Sequence, residues 1–282
     1  MAEARILYLG TENGLIQLAN PGKSDRWREV GRALEGQLVH AVVASPRDPL
    51  LVFAASDAGI SRSINGGLSW KLVRAEPIRT LSFGPGNLLY AGTERGTILS
   101  TPDGDAWRET ADATAPIIQL LDLDDDTLLS VAADGMVCRR SLDRWVACEL
   151  HVPNARGLAA SQSVPHTLYI VNATSLVTPY GTHRLPAPPT GAILMLRGLD
   201  EVLLVGTETG LLRSSDGGNT LETVAGAPEG VTVLTTPPRF IDQVFAGTTA
   251  GALWFSNDRG RSWTQLRSGD PPIHSIAFAR AQ

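Results

Sequence analysis

What most limits the folds open to this chain is that it repeats itself. ILYLGTENGLIQLA, LVFAASDAGISRS, LLYAGTERGTILS, TLLSVAADGMVCR, VLLVGTETGLLRS and QVFAGTTAGALWFS share one pattern. An apolar strand runs into Gly-Thr or Ala-Ser, two turn residues and usually a glycine follow, and an alternating strand leaves the turn. The turn glycines are Gly14, Gly59, Gly96, Gly135, Gly210 and Gly251, at a period of roughly 40 residues with one gap of double length. That gap holds a seventh copy, TLYIVNATSLVTPY, with Ser175 in place of the glycine.

Each unit continues through a second turn to a strand opened by tryptophan in five copies (Trp27, Trp70, Trp107, Trp145 and Trp263), with Leu221 at that place in the sixth. Upstream lies a short apolar strand: LVHAVVA, PIRTLSF, PIIQLLD, ARGLAAS, AILMLRG, VTVLTTP and IHSIAFA. Four short strands per unit, repeated seven times, predict an all-β, seven-bladed β-propeller of four-stranded antiparallel blades, because a unit this small cannot bury its faces alone. The chain begins on a second strand and finishes on a first one. One shared blade, 1–30 plus 270–282, should therefore close the ring, followed by blades at 37–74, 76–110, 115–150, 155–187, 190–224 and 230–267 of a single 1–282 domain. Loss of the last strand should unfold it.

Gly at 28 residues and Pro at 18 suit a turn-rich β chain. The net charge is −5 and the basic residues are scattered, so no stripe exists to neutralise phosphates and nucleic acid is not an expected partner. Neither a leader peptide nor a membrane-inserting stretch is recognisable, which gives a cytoplasmic expectation. Cys138 and Cys148 flank a turn at Leu142-Asp143. They are read as small buried hydrophobes that could face each other across a hairpin.

The stretch SNDRGRSW fits Ser-x-Asp-x-Gly-x-Ser/Thr-Trp through Ser256, Asp258, Gly260, Ser262 and Trp263. By it the chain resembles the Asp-box (BNR-repeat) β-propellers, which include sialidases, sortilin-type receptors, xyloglucan-active glycosidases and photosystem II assembly factors, within the broader WD40/YVTN-like repeat group. SSDGGNTL keeps Ser214, Asp216, Gly218 and Thr220 but has Leu221 for tryptophan. SINGGLSW has Asn65 for the aspartate, and STPDGDAW has Pro102 there and Ala106 for the hydroxyl. Repeats one, four and five lack the box. The resemblance implies that the box is a structural staple between the third and fourth strands, far from the axis. The chemistry agrees: an aspartate can accept backbone N–H bonds in its own turn, glycine takes positive φ and tryptophan buries its ring.

No catalytic constellation emerges. The sialidase pattern needs an arginine triad, a tyrosine nucleophile and an N-terminal Phe/Tyr-Arg-Ile-Pro segment, which is missing. Of the four tyrosines, Tyr8, Tyr90 and Tyr169 sit in second strands, where packing is the default role, and Tyr180 ends the seventh copy. NPGKS lacks the leading glycine of a phosphate loop, since Gln17 stands there. DLDDDT, from Asp122 to Thr127, lacks the sixth-position glycine and twelfth-position glutamate of a calcium loop. Asn172-Ala-Thr174 is a glycosylation sequon only for a secreted chain. No metal or cofactor is expected.

Propellers bind where loops from every blade converge at the axis. Aligned inner strands place His40, Arg79, Ile118, Arg156, Ile193, Thr232 and His274 at one level. Arg79, Arg156, His40 and His274 are the candidate binding residues, forming a cationic, partly pH-sensitive mouth suited to an acidic segment of a protein partner. Trp254, Phe255, Arg259 and Arg261 of the last blade are a second candidate surface. The reading is a non-enzymatic scaffold for protein interaction or assembly. The alternatives are a glycoside hydrolase or glycan-binding propeller, and a sensor or accessory subunit of a larger complex; a small-molecule ligand is left open.

Overall fold

The computed structural model describes residues 5–22, 26–123, 126–141, 144–237 and 240–280. Lys23 and Ser24 of NPGKS, Asp124 and Asp125 of the acidic run and the Leu142-Asp143 turn lie outside the described residues. The strands form seven four-stranded antiparallel sheets, arranged as seven blades. Blade 1 takes its inner strand, Ile273–Arg280, from the C-terminal end and continues outward through Arg5–Thr11, Gly14–Asn20 and Arg28–Ala33. The inner strands of blades 2 to 7 are Val39–Ala44, Ile78–Phe83, Ile117–Asp122, Gly157–Ala160, Pro189–Met195 and Val231–Thr235. The expected closure through one shared blade is therefore the observed one, with Leu9 opposite Ile276 and Leu7 opposite Phe278.

Why the second strands read as nearly unbroken apolar runs is now clear: each is covered on both faces by neighbouring blades. Val52–Ser56, Leu89–Thr93, Leu128–Ala132, Leu203–Thr207 and Val244–Thr248 are buried at every position. The outer strands are mostly exposed, as in Arg28–Ala33. The core is accordingly not one mass but seven clusters, one per junction between consecutive blades. Every strand-opening tryptophan, and Leu221 in the sixth blade, packs into the cluster it shares with the preceding blade. Trp27 and Trp145 meet Phe245 and Tyr90 of that neighbour edge-on, with ring centroids 5.8 and 6.4 Å apart.

A four-member ion-pair network adds to the closure of the ring. Arg32 of the first blade's outer strand binds Glu29, and Arg267, leaving blade 7, binds both Asp270 and Glu29. Blade 5, although its sequence is irregular, has all four strands: Gly157–Ala160, Leu168–Val171, Ser175–Thr178 and Gly181–Arg184. In place of the turn glycine, Asn172 Oδ1 accepts from the N–H groups of Thr174 and Ser175 at 3.1 and 2.9 Å.

Candidate functional site at the axial mouth

Each blade has two kinds of end. At the lower end, the loop from first to second strand meets the turn from third to fourth. At the upper end, the inner strand starts beside the turn from second to third.

The lower turns are where the box residues lie, and they form a staple. Asp258 Oδ1 accepts from Ser256 Oγ (2.8 Å), Arg261 N (3.0 Å) and Ser262 N (2.9 Å), and Oδ2 accepts from Ser262 Oγ (2.6 Å). Gly260 N donates to Ser256 Oγ at 2.9 Å, and Trp263 Nε1 donates to Gly260 O at 3.2 Å. In blade 6, Asp216 holds Ser214 and Thr220 in the same way and Gly218 N donates to Ser214 Oγ. In blade 2 Asn65 manages with an amide. Its Oδ1 accepts from Ser63 Oγ and Ser69 N, while its Nδ2 donates to Ser69 Oγ at 2.8 Å, reversing the polarity of one bond.

Blade 3 corrects the sequence alignment. Asp103, not Pro102, occupies the aspartate place, because the turn is one residue shorter and begins at Thr101. Asp103 Oδ1 accepts from Thr101 Oγ1, Asp105 N and Ala106 N, and Trp107 Nε1 donates to Gly104 O at 3.1 Å. The carboxylates respond to these bonds. The N–H and hydroxyl of Thr220 hold Asp216 down to about 2, and at Asp258 partial burial pulls upward but the bonds from Ser262 and Ser256 outweigh it, leaving it below the usual range.

At the upper end the candidate ring has a backbone cause. In five blades one residue of the inner strand is skipped by the ladder: His40 between Val39↔Ser56 and Ala41↔Ala55, Arg79 between Ile78↔Thr93 and Thr80↔Gly92, and likewise Ile118, Thr232 and His274. These are β-bulges, which re-aim a side chain at a strand end. Arg156 stands just before the inner strand of blade 5, its N–H donating to Val171 O. Ile193 is a correction: it pairs with Val205 and is buried in the junction of blades 5 and 6. The inner strand of blade 6 has extra residues around Gly191, and Thr190 takes the ring place. Its hydroxyl bonds to Gly206 O and Val231 O, just as that of Thr232 bonds to Gly247 O and Ile273 O.

Several inner-strand polar side chains stitch adjacent blades. Besides the two threonines, Gln119 pairs with both backbone groups of Leu158 (2.9 and 2.7 Å), and Arg156 Nη1 donates to Pro189 O at 2.9 Å. Arg156 thus bonds its neighbour while remaining exposed.

His40, Arg79 and His274 lie on the arc of blades 1 to 3. The adjoining upper turns bring carboxylates that the sequence reading did not weigh. Arg79 Nε pairs with Glu94, and His274 Nε2 lies 3.7 Å from Glu12 Oε1. Burial, with Arg79 and His274 nearby, pushes the His40 imidazole below its usual range, while Glu94 and Asp57 pull the other way. The arc therefore carries mixed charge, not a plain excess of cations. The signal was available: the residue after the turn threonine or serine is Glu12, Asp57, Glu94 and Glu208 in four copies.

The second candidate surface does not form. Trp254 packs into the junction of blades 6 and 7, Phe255 into that of blades 7 and 1, and Arg259 pairs with Asp242. The two cysteines do not face each other. Cys138 pairs in register with Ala147, which turns the adjacent Cys148 to the opposite face of the sheet. Tyr8 and Tyr90 are fully buried, and Tyr8 donates to Gly66 O of the next blade at 2.9 Å.

The chain is a seven-bladed β-propeller, and solved propellers match it along most of its length. The WD40 β-propeller domain of Doa1 superposes with a TM-score of 0.69 at 13% identity, covering 85% of this chain and 86% of that one. YCF48 bound to D1 peptide matches with a TM-score of 0.63 at 16% identity, over 90% and 94% of the two chains. A computationally designed protein, Ika8, matches with a TM-score of 0.64 at 16% identity, over 96% and 86%. No protein-family model matches the chain, and no curated protein matches it in sequence. Among the described residues no helix is long and apolar enough to cross a membrane.

Proposed function

We propose that this protein is a non-enzymatic scaffold that holds a protein segment across the upper axial mouth, and that its box turns make it a member of the Asp-box group of propellers. One observation carries the reading: the bulges set His40, Arg79, Ile118, Thr232 and His274 at one level of the mouth, yet the residue type differs from blade to blade. Thr232 spends its hydroxyl on stitching blades 7 and 1 and Ile118 packs partly into the junction of blades 4 and 5, while at His40, Arg79 and His274 the same backbone device carries polar side chains at the mouth, where propeller loops bind. That one structural neighbour is a WD40 domain and another was solved with a bound peptide agrees with this, although a designed protein of the same fold shows that architecture alone assigns nothing.

The mixed charge of the arc favours a segment carrying both signs over a purely acidic one. Arg79 already has Glu94, so a partner carboxylate would compete for that guanidinium while a partner cation could share Glu12 or Asp57. A photo-crosslinking residue at Ile118, with one at the exposed Asn219 on the lower face of blade 6 as reference, tests the reading in a native lysate. Adducts confined to the mouth position and diminished by Arg79→Ala are expected; equal adducts at both sites overturn it. Hydrolysis of fluorogenic sialosides or β-glucosides, lost in Arg79→Ala, would establish the glycosidase reading instead.

A further inference from the structure

The lower face of blade 2 differs from its counterparts at three places. Leu50, Ile64 and Leu68 are 48%, 69% and 84% exposed. Ile64 and Leu68 flank Asn65-Gly66-Gly67 in the box turn, and Leu50 lies in the loop bonded to it. One backbone bond fixes the equivalent positions in the other blades: Gly66 N donates to Leu50 O, Gly217 N to Glu201 O and Arg259 N to Asp242 O, each at 2.9 Å. At the same three places blade 6 has Glu201, Ser215 and Asn219, and blade 7 has Asp242, Asn257 and Arg261. The turn therefore folds with polar residues there, and nothing in its own bonding calls for the apolar trio.

We infer that this surface docks a second copy of the chain in a two-fold dimer. A two-fold contact sets a patch against itself, so the patch must be self-complementary. The apolar trio meets that condition, and so does its rim. Arg47 and Asp48 are exposed in the loop that carries Leu50. Among the described residues the Arg47 guanidinium has no hydrogen bond or ion pair, and Asp48 uses Oδ1 on Leu50 N at 3.0 Å. Across the axis each Arg47 can meet the opposing Asp48. The trio exposes on the order of 400 Å² of largely apolar surface, comparable to the largest patch on a typical monomer, which is often functional. Twice that area is roughly 800 Å², and the rims bring the contact close to the roughly 1,000 Å² lower bound of specific interfaces, so the dimer is weak and concentration-dependent.

Sedimentation velocity and light scattering from about 5 to about 500 μM test this. The mass should rise from the 30.0 kDa of one chain toward twice that value. The variant Leu50→Glu/Ile64→Ser/Leu68→Asn, which gives blade 2 the residues of blade 6, should melt as the parent does and dimerise at least about tenfold more weakly. Arg47→Glu, which sets like charges across the axis, should weaken the dimer in a salt-dependent way. A parent that stays at one chain mass throughout overturns the inference. A triple variant that dimerises like the parent overturns it too, as does an Arg47→Glu dimer of unchanged affinity.

Discussion

The two ends of a blade use repetition differently. At the lower end, blades 2, 6 and 7 repeat one set of hydrogen bonds almost atom for atom, and blade 3 keeps it with one residue fewer. At the upper end the same bulge occurs five times, but its occupants are histidine, arginine, isoleucine, threonine and histidine. Repeated bonding within the chain indicates that the turn stabilises; varied side chains on a constant backbone are what the proposed recognition at the mouth rests on. Substitutions of the box residues at the lower end should then alter stability, and removal of the Arg79 side chain at the upper end should alter binding alone.

The largest expected effect lies where the two ends meet, on the inner strand Ile273–Arg280, which carries an upper bulge and completes blade 1. Ending the chain after Gly269 removes Ile273, Ile276 and Phe278 from the junction of blades 7 and 1. At about 1.5–3 kcal/mol for each large buried apolar side chain, and with a whole ladder lost, the deficit rivals a typical total stability of about 5–15 kcal/mol. Urea titration followed by circular dichroism should show no cooperative transition. A truncated chain that unfolds like the full one would mean that the ring does not need closure.

Next comes the tight approach of a lower turn to its neighbour. Gly104 has φ of +86°, and a Cβ there would lie 2.5 Å from Phe53 Cε1 of blade 2. Gly104→Ala should cost about 2–4 kcal/mol, combining backbone strain with overpacking against a ring that cannot withdraw. Thermal denaturation provides the measurement, and an unchanged midpoint would show that blade 3's shortened box does not clamp blade 2.

How much of this was legible in sequence follows the same division. The second strands could be read because burial on both faces demands unbroken apolar runs, and the boxes of blades 6 and 7 because their side chains bond within a few residues. Blade 3's box was misplaced because counting back from Trp107 assumes a turn of fixed length, and only the bonds to Asp103 reveal the missing residue. The bulges depend on register with a partner strand, which local sequence does not encode. For that reason Ile193 was aligned in place of Thr190, and Cys148 was turned toward Cys138. The carboxylates of the mouth lie in the turns between second and third strands, away from the inner strands that carry the cations, so alignment of inner strands alone could not weigh them.

At the level of a single box, Asp258→Ala should lower stability by about 0.5–2 kcal/mol, in the range of lost side-chain caps. Asp258→Asn should cost less, since Asn65 holds the equivalent turn in blade 2 through Ser69. The pH response separates the two roles of the carboxylate. Asp216 and Asp258 are depressed in the folded state, so the unfolded chain binds protons more readily. Their contribution is complete above the ordinary aspartate value near ~4 and fades as pH falls toward the folded value, about 2 for Asp216. Acid titration of Asp216→Asn should be flatter than the parent across that window. Identical acid profiles would show that the charge, as distinct from the hydrogen bonds, adds nothing.

The smallest expected effect on stability is at Arg79, and it decides between the two ends. The Arg79 and Glu94 side chains are 46% and 35% exposed, so their pairing is screened by solvent and worth about 0–1 kcal/mol. A bulge also leaves the ladder around Arg79 intact when its side chain is removed, because Ile78 and Thr80 keep their partners in Thr93 and Gly92. Arg79→Ala should therefore melt within experimental error of the parent, and it should also raise the His40 pKa, since Arg79 is one of the groups that lower it. The imidazole titration followed by NMR measures that shift directly. If Arg79→Ala destabilises the chain as much as Asp258→Ala, the bulge residues are staples as well, and the contrast between a stabilising end and a recognising end fails.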